Sequence, residues 1–288
     1  MSQYMIFTDS GCDIPSEILQ DWGVKACDLI FRFTDSDVEY TNDSMPSKEF
    51  YDMMRAGKIA KTSAVNVETF KEAFEAALKE GQDVLYLGFS GGLSNTANAG
   101  RLAVEELREA YPDRKIIAVD SLCASAGQGL LLRLALDRKE EGASIDEVAA
   151  YLEENKLHLC HEFTVDDLVY LKRGGRVSPT VALIGTMLSI KPVMHVDDEG
   201  HLVKVTQARG RKAALKALVD KYSENALDPE NGKIFICQAD CMDDADRIGE
   251  MIKARHNNNV DLVVYTGSVI GAHSGPGTIA IFYLGKKR

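Results

Sequence analysis

Short apolar segments alternate with longer amphipathic segments through the first half of the chain. The short runs favour β-strands and the longer amphipathic runs favour helices. In chain order the pattern predicts strand 4–8, helix 15–22, strand-like residues 24–33, helix 67–80, strand 83–89, helix 96–110, strand 115–120 and helices 124–141 and 144–156. Ser144 and Glu147 fit a capping box at the start of the last helix. Strands separated by helices of this length indicate right-handed crossovers and a parallel sheet covered on both faces.

The rhythm changes after about residue 156. The second half predicts helices 166–173 and 179–188, strands 190–195 and 201–208, helix 211–223, strand 233–238, helix 243–255 and strand 261–266. The residues between strands 190–195 and 201–208 include Asp197-Asp198-Glu199-Gly200, which is typical of a hairpin turn. We therefore expect an α/β protein of two domains, a parallel-sheet domain over 1–160 and a mixed-sheet α+β domain over 161–288.

One long segment lacks charge, but it does not fit a membrane span. Residues 262–285 carry no Asp, Glu, Lys or Arg, yet glycines and a proline interrupt the apolar run. A membrane helix needs about 20 predominantly apolar residues in succession. The segment instead predicts strand, loop and strand, and no stable membrane insertion is expected.

The charge balance and the cysteines narrow the function further. Of 288 residues, 33 are Lys or Arg and 44 are Asp or Glu, which gives a formal net charge of −11. This argues against a non-specific binder of nucleic acid or of anionic membranes, because such proteins need a positive surface. Six cysteines without a CxxC pair do not indicate a disulfide framework, and the first residues show no secretory pattern. The cytoplasm is the expected compartment.

Polar residues follow the strands of the predicted parallel sheet. Asp9 and Ser10 follow the first strand, residues 90–96 follow the next, and Ser121 follows the last. Ligands bind beyond the carboxyl ends of parallel strands, so these loops are candidates for a binding site. For any one of these residues taken alone, capping of the helix that follows is the simpler explanation.

A serine hydrolase is the main alternative from the residues alone. Residues 88–92 fit G-x-S-x-G between a strand and a helix, with Ser90 as the nucleophile. Asp120 and His273 follow in the order Ser, Asp, His of a triad. A nucleophile elbow needs the helix to begin directly after the serine, whereas here more loop residues intervene.

Cofactor motifs are missing from the sequence. His158, Cys160 and His161 lie close together, but a strand would place alternate side chains on opposite faces and no second cluster supplies further ligands. The chain has no G-x-x-x-x-G-K-[ST] pattern, and no G-x-G-x-x-G follows the first strand. We expect neither a metal nor a nucleotide cofactor.

Two glycine-containing clusters could hold an anion. Gly174 and Gly175 end a predicted helix and are followed by Arg176, which such a turn could hold as a clamp for a carboxylate or phosphate. A helix C-cap with solvated charges is the plain alternative. Residues 273–278 combine His273, a titratable group, with glycines that allow the backbone to approach a ligand.

Taken together, seven motifs resemble the DegV family in order and spacing. They are FTDS at 7–10, KTS at 61–63, LSNT at 93–96, VDS at 119–121, YLKRGGRV at 170–177, LSIKPV at 188–193 and HSGPG at 273–277. The resemblance spans almost the whole chain. It implies two α/β domains and a non-catalytic protein that binds a long-chain fatty acid and presents its carboxylate to a separate ATP-dependent kinase subunit.

The resemblance also implies a set of site residues. It assigns carboxylate binding to five residues: Thr62, Ser63, Ser94, Arg176 and His273. It assigns supporting roles to four more: Asn95, Thr96, Gly175 and Asp9. The sequence departs from the family at Ala64-Val65, where Gln-Pro is usual, and at Asn95, where Gly is usual. Both departures leave the hydroxyl positions intact.

The acyl tail and the partner are assigned to the second half. Residues 181–190 and 193–194 are candidates to line the tail, although they also fit an ordinary core. Arg209 and Arg211 belong to a compact basic run between a strand and a helix, and we expect them to dock the kinase. The alternative explanation for this basic run is a solvated helix start. The alternative to a fatty acid is another apolar ligand, such as a retinoid or a sterol.

Overall fold

Two β-sheets organise the chain in the computed structural model, which describes residues 4–178 and 190–288. The first sheet has four parallel strands within the described residues: from edge to edge β2 (Lys25–Cys27), β1 (Tyr4–Asp9), β5 (Asp83–Gly88) and β6 (Ile116–Asp120). The predicted parallel sheet of the first half is confirmed.

Helices pack against this sheet. They are α1 (Ser16–Asp21), α3 (Val67–Lys79), α4 (Thr96–Ala110), α5 (Ala126–Glu140) and α6 (Ile145–Asn155). In the sequence, α1, α3 and α4 precede the later strands of the sheet, and α5 and α6 follow its last strand. Local chemistry fixes their starts: Asn66 Oδ1 accepts from the Thr69 N–H at 2.9 Å, and Ser144 and Glu147 form the predicted capping box. Each helix lies within two residues of its predicted bounds.

The segment that precedes α3 differs from the prediction. The strand-like residues 24–33 divide into β2, which pairs with β1, and β3 (Ile30–Phe33), which pairs antiparallel with β4 (Ala60–Ser63). Helix α2 (Ser47–Arg55) lies between β3 and β4 in the sequence. Apolar content alone could not separate the two strands, because their partners lie elsewhere in the chain.

The second sheet is mixed. Its strands in spatial order are β11 (Leu262–Tyr265), β10 (Phe235–Gln238), β12 (Ile279–Leu284), β7 (Leu159–Thr164), β8 (Ile190–Val196) and β9 (Leu202–Arg209). Only β10 and β11 pair in parallel among these described strands. The accompanying helices are α7 (Val169–Gly174), α8 (Arg211–Asn225), α9 (Met242–His256) and α10 (Ser268–Ser274). The predicted helix 179–188 lies outside the described residues.

The charge-free segment 262–285 is strand, helix and strand, so the predicted loop is corrected to α10 and its flanking turns. The Tyr51 hydroxyl donates to Thr266 O at 2.6 Å, and a Cβ on Gly271 would lie 2.4 Å from that hydroxyl oxygen. Gly271 thus lets α10 approach α2 closely. The sequence prediction takes the glycines as a sign of a loop and does not anticipate this helix packing. No helix in residues 4–178 or 190–288 is long and apolar enough to cross a membrane.

Helix α5 joins the two sheets. A Cβ on Gly127 would lie 2.3 Å from His161 Nε2 and 2.8 Å from Phe282 Cδ1, so only glycine permits this approach to β7 and β12. A single apolar core contains Leu85 of the first sheet and Phe163 of the second. The space between the sheets is therefore enclosed by packed walls.

Candidate functional site

A cavity of about 300 Å³ lies between the two sheets. This volume is at the lower end of the range for small-molecule sites. Most of the wall is apolar, from both halves of the chain: Leu29, Ala64, Phe89, Leu93, Ala124, Phe163, Leu171, Val196, Leu202, Val269, Ile270, Ala280 and Phe282. Of the predicted tail positions, 181–189 lie outside the described residues. Val193 and Met194 are buried in the core, Ile190 begins β8, and none of these three residues is part of this wall.

Thr62 and His273 form the first polar contact on the cavity wall. Thr62 lies on β4 and His273 near the end of α10, and Thr62 Oγ1 is 2.7 Å from His273 Nε2. The other ring nitrogen, Nδ1, has no hydrogen-bond partner and faces Gly174, where a Cβ would lie 2.3 Å away. An unpaired buried N–H is rarer than an unpaired acceptor. We therefore assign the proton to Nε2, which donates to Thr62 and leaves the Thr62 hydroxyl proton for another acceptor.

Arg176 links this pair to the loop after β5. Gly175 ends α7 with φ 71°, and the Arg176 N–H donates back to Leu171 O at 3.0 Å. The guanidinium Nε donates to Leu93 O at 3.2 Å, and Nη1 donates to Gly174 O. Since Gly174 also contacts the His273 ring, these contacts place the guanidinium between His273 and residues 93–95.

Ser94 and Asn95 complete the polar end of the cavity. Both residues line it, and they directly precede α4. Ser94 Oγ lies 2.9 Å from Thr96 Oγ1 and accepts from the Thr96 N–H at 3.3 Å. Thr96 is fully buried and does not line the cavity, so it acts by orienting Ser94.

The positive charge at this end belongs to Arg176. Burial, with a further contribution from the neighbouring Arg176, lowers the pKa of His273 to about 4, so the imidazole is neutral at neutral pH. Burial also lowers the pKa of Arg176, but a guanidinium starts so high that it stays charged. In the ligand-free chain His273 therefore carries no charge and serves as a hydrogen-bond donor.

Besides Thr96, three predicted residues do not reach the cavity. Ser63 is exposed and follows Thr62 on a strand, where neighbouring side chains point to opposite faces. Gly175 is exposed and shapes the turn before Arg176. Asp9 accepts from the Tyr86 hydroxyl at 2.7 Å and the Phe89 N–H at 2.8 Å, and burial raises its pKa to about 6. Asp9 thus positions Phe89, which lines the cavity.

The serine hydrolase alternative is not supported. Ser90 is fully buried, and its hydroxyl donates to Gly200 O at 2.9 Å. Asp120 accepts from the main-chain N–H groups of Gly91 and Leu122, while His273 pairs with Thr62. The three side chains hold separate structural hydrogen bonds and form no nucleophile, base and orienting acid.

Several cavity residues were missed from the sequence. Six polar residues outside the candidate set also line it: Ser125, His161, Cys237, Thr266, Ser274 and Thr278. Of these, Ser274 and Thr278 belong to the 273–278 cluster noted in the sequence. Ser125 donates to the buried carboxylate of Asp13, whose pKa burial raises to about 7. Both residues have positive φ, which no sequence pattern reveals for residues other than glycine. The described residues contain no group of three or more potential metal ligands, and His161 instead bonds Leu159 O and the Ala124 N–H.

The two arginines expected to dock a partner differ in their surroundings. Arg209 ends the edge strand β9 and is exposed. Arg211 Nε donates to Asp244 Oδ2 at 2.8 Å and Nη2 donates to Gly277 O at 2.7 Å, which leaves its side chain 20% exposed. Arg211 therefore anchors the 275–278 turn in addition to any role at the surface.

Comparisons with known proteins give one consistent family. The sequence model described as "Uncharacterised protein, DegV family" matches residues 3–286. A DegV domain-containing protein of Clostridium perfringens is 43% identical over 99% of this chain and 98% of its own. Two solved structures are similar over 98–99% of this chain and 99% of theirs: a DegV lipid binding protein from Thermotoga maritima (28% identity, TM-score 0.85) and a fatty acid binding DegV family protein from Thermus thermophilus (29% identity, TM-score 0.87).

Proposed function

The chain belongs to the DegV family, and from this premise we propose that it binds a long-chain fatty acid between its sheets without catalysing a reaction. The observation that carries the proposal is a mostly apolar cavity with one guanidinium, Arg176, at its polar end. An apolar wall with one positively charged end matches an amphiphile with a single anionic head. The Thermus thermophilus relative, described as fatty acid binding, supports the same ligand class.

The tail supplies most of the affinity. Burial of each methylene contributes about 0.8 kcal/mol, so roughly fourteen methylenes contribute about 11 kcal/mol before ordering costs. One hydrogen bond contributes about 1 kcal/mol. The polar end therefore fixes the orientation of the ligand: Arg176 supplies charge, Thr62 and Ser94 supply hydroxyl donors, Asn95 supplies an amide, and His273 holds the Thr62 hydroxyl.

Extraction of the purified protein tests the ligand class directly. We expect mass spectrometry of an organic extract to show long-chain fatty acids, and a lipid-free preparation to bind added stearic acid. A retinoid or sterol in the extract would redirect the proposal to another apolar ligand. Protein that is lipid-free and binds no added fatty acid would contradict it.

We further propose that the bound carboxylate is presented, in the cytoplasm, to a separate ATP-dependent kinase subunit for acyl phosphate formation. Acyl phosphate formation needs a phosphoryl donor, and this chain has no nucleotide-binding motif. Arg209 is the exposed cation expected to steer the encounter with that subunit, because charges at an interface rim govern association.

Arg209→Ala tests this contact. Arg211 is left unchanged, because it donates hydrogen bonds to Asp244 and Gly277 and its loss would also disturb the fold. We expect fatty acid binding to stay within about twofold while kinase-dependent acyl phosphate formation falls, since rim charges act on association. Lys79→Ala removes an exposed cation from α3 and serves as the control. Equal loss of lipid binding in Arg209→Ala would show that this arginine serves the pocket.

A further inference from the structure

Arg288 has an unusual hydrogen-bond environment. Its guanidinium has five N–H donors, and all five have acceptors. Nε donates to Leu159 O at 3.1 Å, and Nη1 donates to Leu122 O at 2.9 Å and Asp197 O at 3.0 Å. Nη2 donates to Lys156 O at 2.6 Å and to Cys123 Sγ at 3.2 Å. Four main-chain carbonyls and one thiol thus surround a single charged group.

These acceptors come from separate parts of the fold. Leu122 and Cys123 lie in the loop between β6 and α5, in the first half of the chain. Asp197 begins the turn of the β8–β9 hairpin, in the second sheet. A single nitrogen of Arg288, Nη1, donates to both of these segments. Because a guanidinium presents its donors in a rigid plane, each segment is held in position as well as in contact.

Both bridged segments form cavity wall. Val196 and Leu202 flank the hairpin turn and line the cavity, while Ala124 lies two residues after Leu122 and lines it from the other side. Leu122 has φ 51°, a conformation that costs energy for a branched side chain and persists only where neighbours hold it. The hydrogen bond from Arg288 to Leu122 O is one such restraint.

The hairpin turn also contacts the first half of the chain directly. Ser90 donates to Gly200 O, and a Cβ on Gly92 would lie 2.7 Å from Glu199 O. A Cβ on Gly200 would lie 3.3 Å from Leu122 Cδ2, so the turn rests on residues 90–92 and on Leu122. Strand β9 is an edge strand, and its residues 205–207 are exposed. An exposed edge strand opens more easily than the sheet interior. Arg288 is the charged group that opposes this opening.

We propose that Arg288 is a positioning residue that holds the β8–β9 hairpin against the β6–α5 loop and so sets how fast a bound fatty acid leaves the cavity. The inference rests on the proposed function. Loss of Arg288 should increase the dissociation rate more than the association rate, because the closed wall matters once the tail is inside. Lysine offers three donors on a flexible stem and should restore part of the effect only.

The experiment compares Arg288→Ala, Arg288→Lys and the control Lys287→Ala, which removes an exposed neighbouring cation and none of the five bonds. Release is followed with a fluorescently labelled stearic acid chased by excess stearic acid. We expect the dissociation rate to rise about tenfold or more in Arg288→Ala, less in Arg288→Lys, and within twofold in Lys287→Ala. Hydrogen exchange of amides 197–202 in ligand-free protein should accelerate in the same order.

Each outcome decides the inference. Faster hairpin exchange with unchanged release would overturn it, since the hairpin would then move without controlling the ligand. Unchanged exchange and release would also overturn it. If Arg288→Ala does not fold, Arg288→Lys decides by the same two measurements. Wild-type protein that binds no fatty acid would refute the proposed function at the first step, together with this inference, before any variant is compared.

Discussion

The hydroxyl of Thr62 provides a sharp test of the polar end of the cavity. Thr62→Val keeps the shape of the side chain and removes the hydroxyl that lies 2.7 Å from His273 Nε2. In our assignment, that hydroxyl accepts from His273 and donates to the carboxylate. The substitution therefore removes one charge-assisted hydrogen bond to the ligand and leaves the His273 N–H without its acceptor.

The expected loss follows from the chemistry of the bond. A hydrogen bond to a charged group contributes about 1.5–3 kcal/mol, which corresponds to roughly 10- to 150-fold in the dissociation constant. The same free energy equals the burial of about two to four methylenes. Thr62→Val should therefore weaken binding measurably without abolishing it, because the tail contacts remain.

Calorimetric or fluorescence titration of a lipid-free preparation measures the effect, with stearic acid and the matching long-chain alcohol as ligands. The alcohol is uncharged, so its affinity should change by less than about tenfold. Ser63→Ala is the matched control, since Ser63 is exposed and does not line the cavity. An unchanged acid affinity in Thr62→Val, or an equal loss for acid and alcohol, would refute the reasoning, as would a larger loss in Ser63→Ala.

Three further predictions concern charge, pH and packing. Arg176→Gln should weaken binding of the acid by about tenfold or more and spare the alcohol, since it removes the charge at the polar end; equal losses in the titration would contradict this. Burial raises the pKa of Asp13 to about 7, so the folded state binds more protons than the unfolded state between about pH 4 and 7, and stability falls as pH rises through that window. Asp13→Asn keeps an acceptor for Ser125 and should therefore raise the melting temperature more at pH 8 than at pH 5, and a pH-independent shift would contradict the assignment. Gly127→Ala should destabilise the protein by about 1–3 kcal/mol in denaturant titration because a Cβ there meets His161. Gly249→Ala, where the nearest heavy atom is 3.7 Å away, should stabilise α9 by about 0.5–1 kcal/mol, and equal effects of the two would contradict the packing argument.

Elements with local signals could be predicted from the sequence. The capping box of Ser144 and Glu147, the turn at Asp197 and the strand-to-helix rhythm each depend on residues a few positions apart. Such signals predicted the parallel sheet and most helix bounds. The resemblance to the DegV family added the ligand class and the candidate residues, which no period or composition could provide.

Which candidate residues contact one another depends on tertiary packing. Thr62 and His273 are 211 residues apart in sequence, and their contact depends on β4 and α10 packing together. Sequence could not separate Thr62 from Ser63, since one step along a strand reverses the face. Burial then made His273 neutral, which no residue type reveals. Protonation and contact depend on the surroundings that distant segments supply, whereas helix caps and hairpin turns depend on neighbours in the chain.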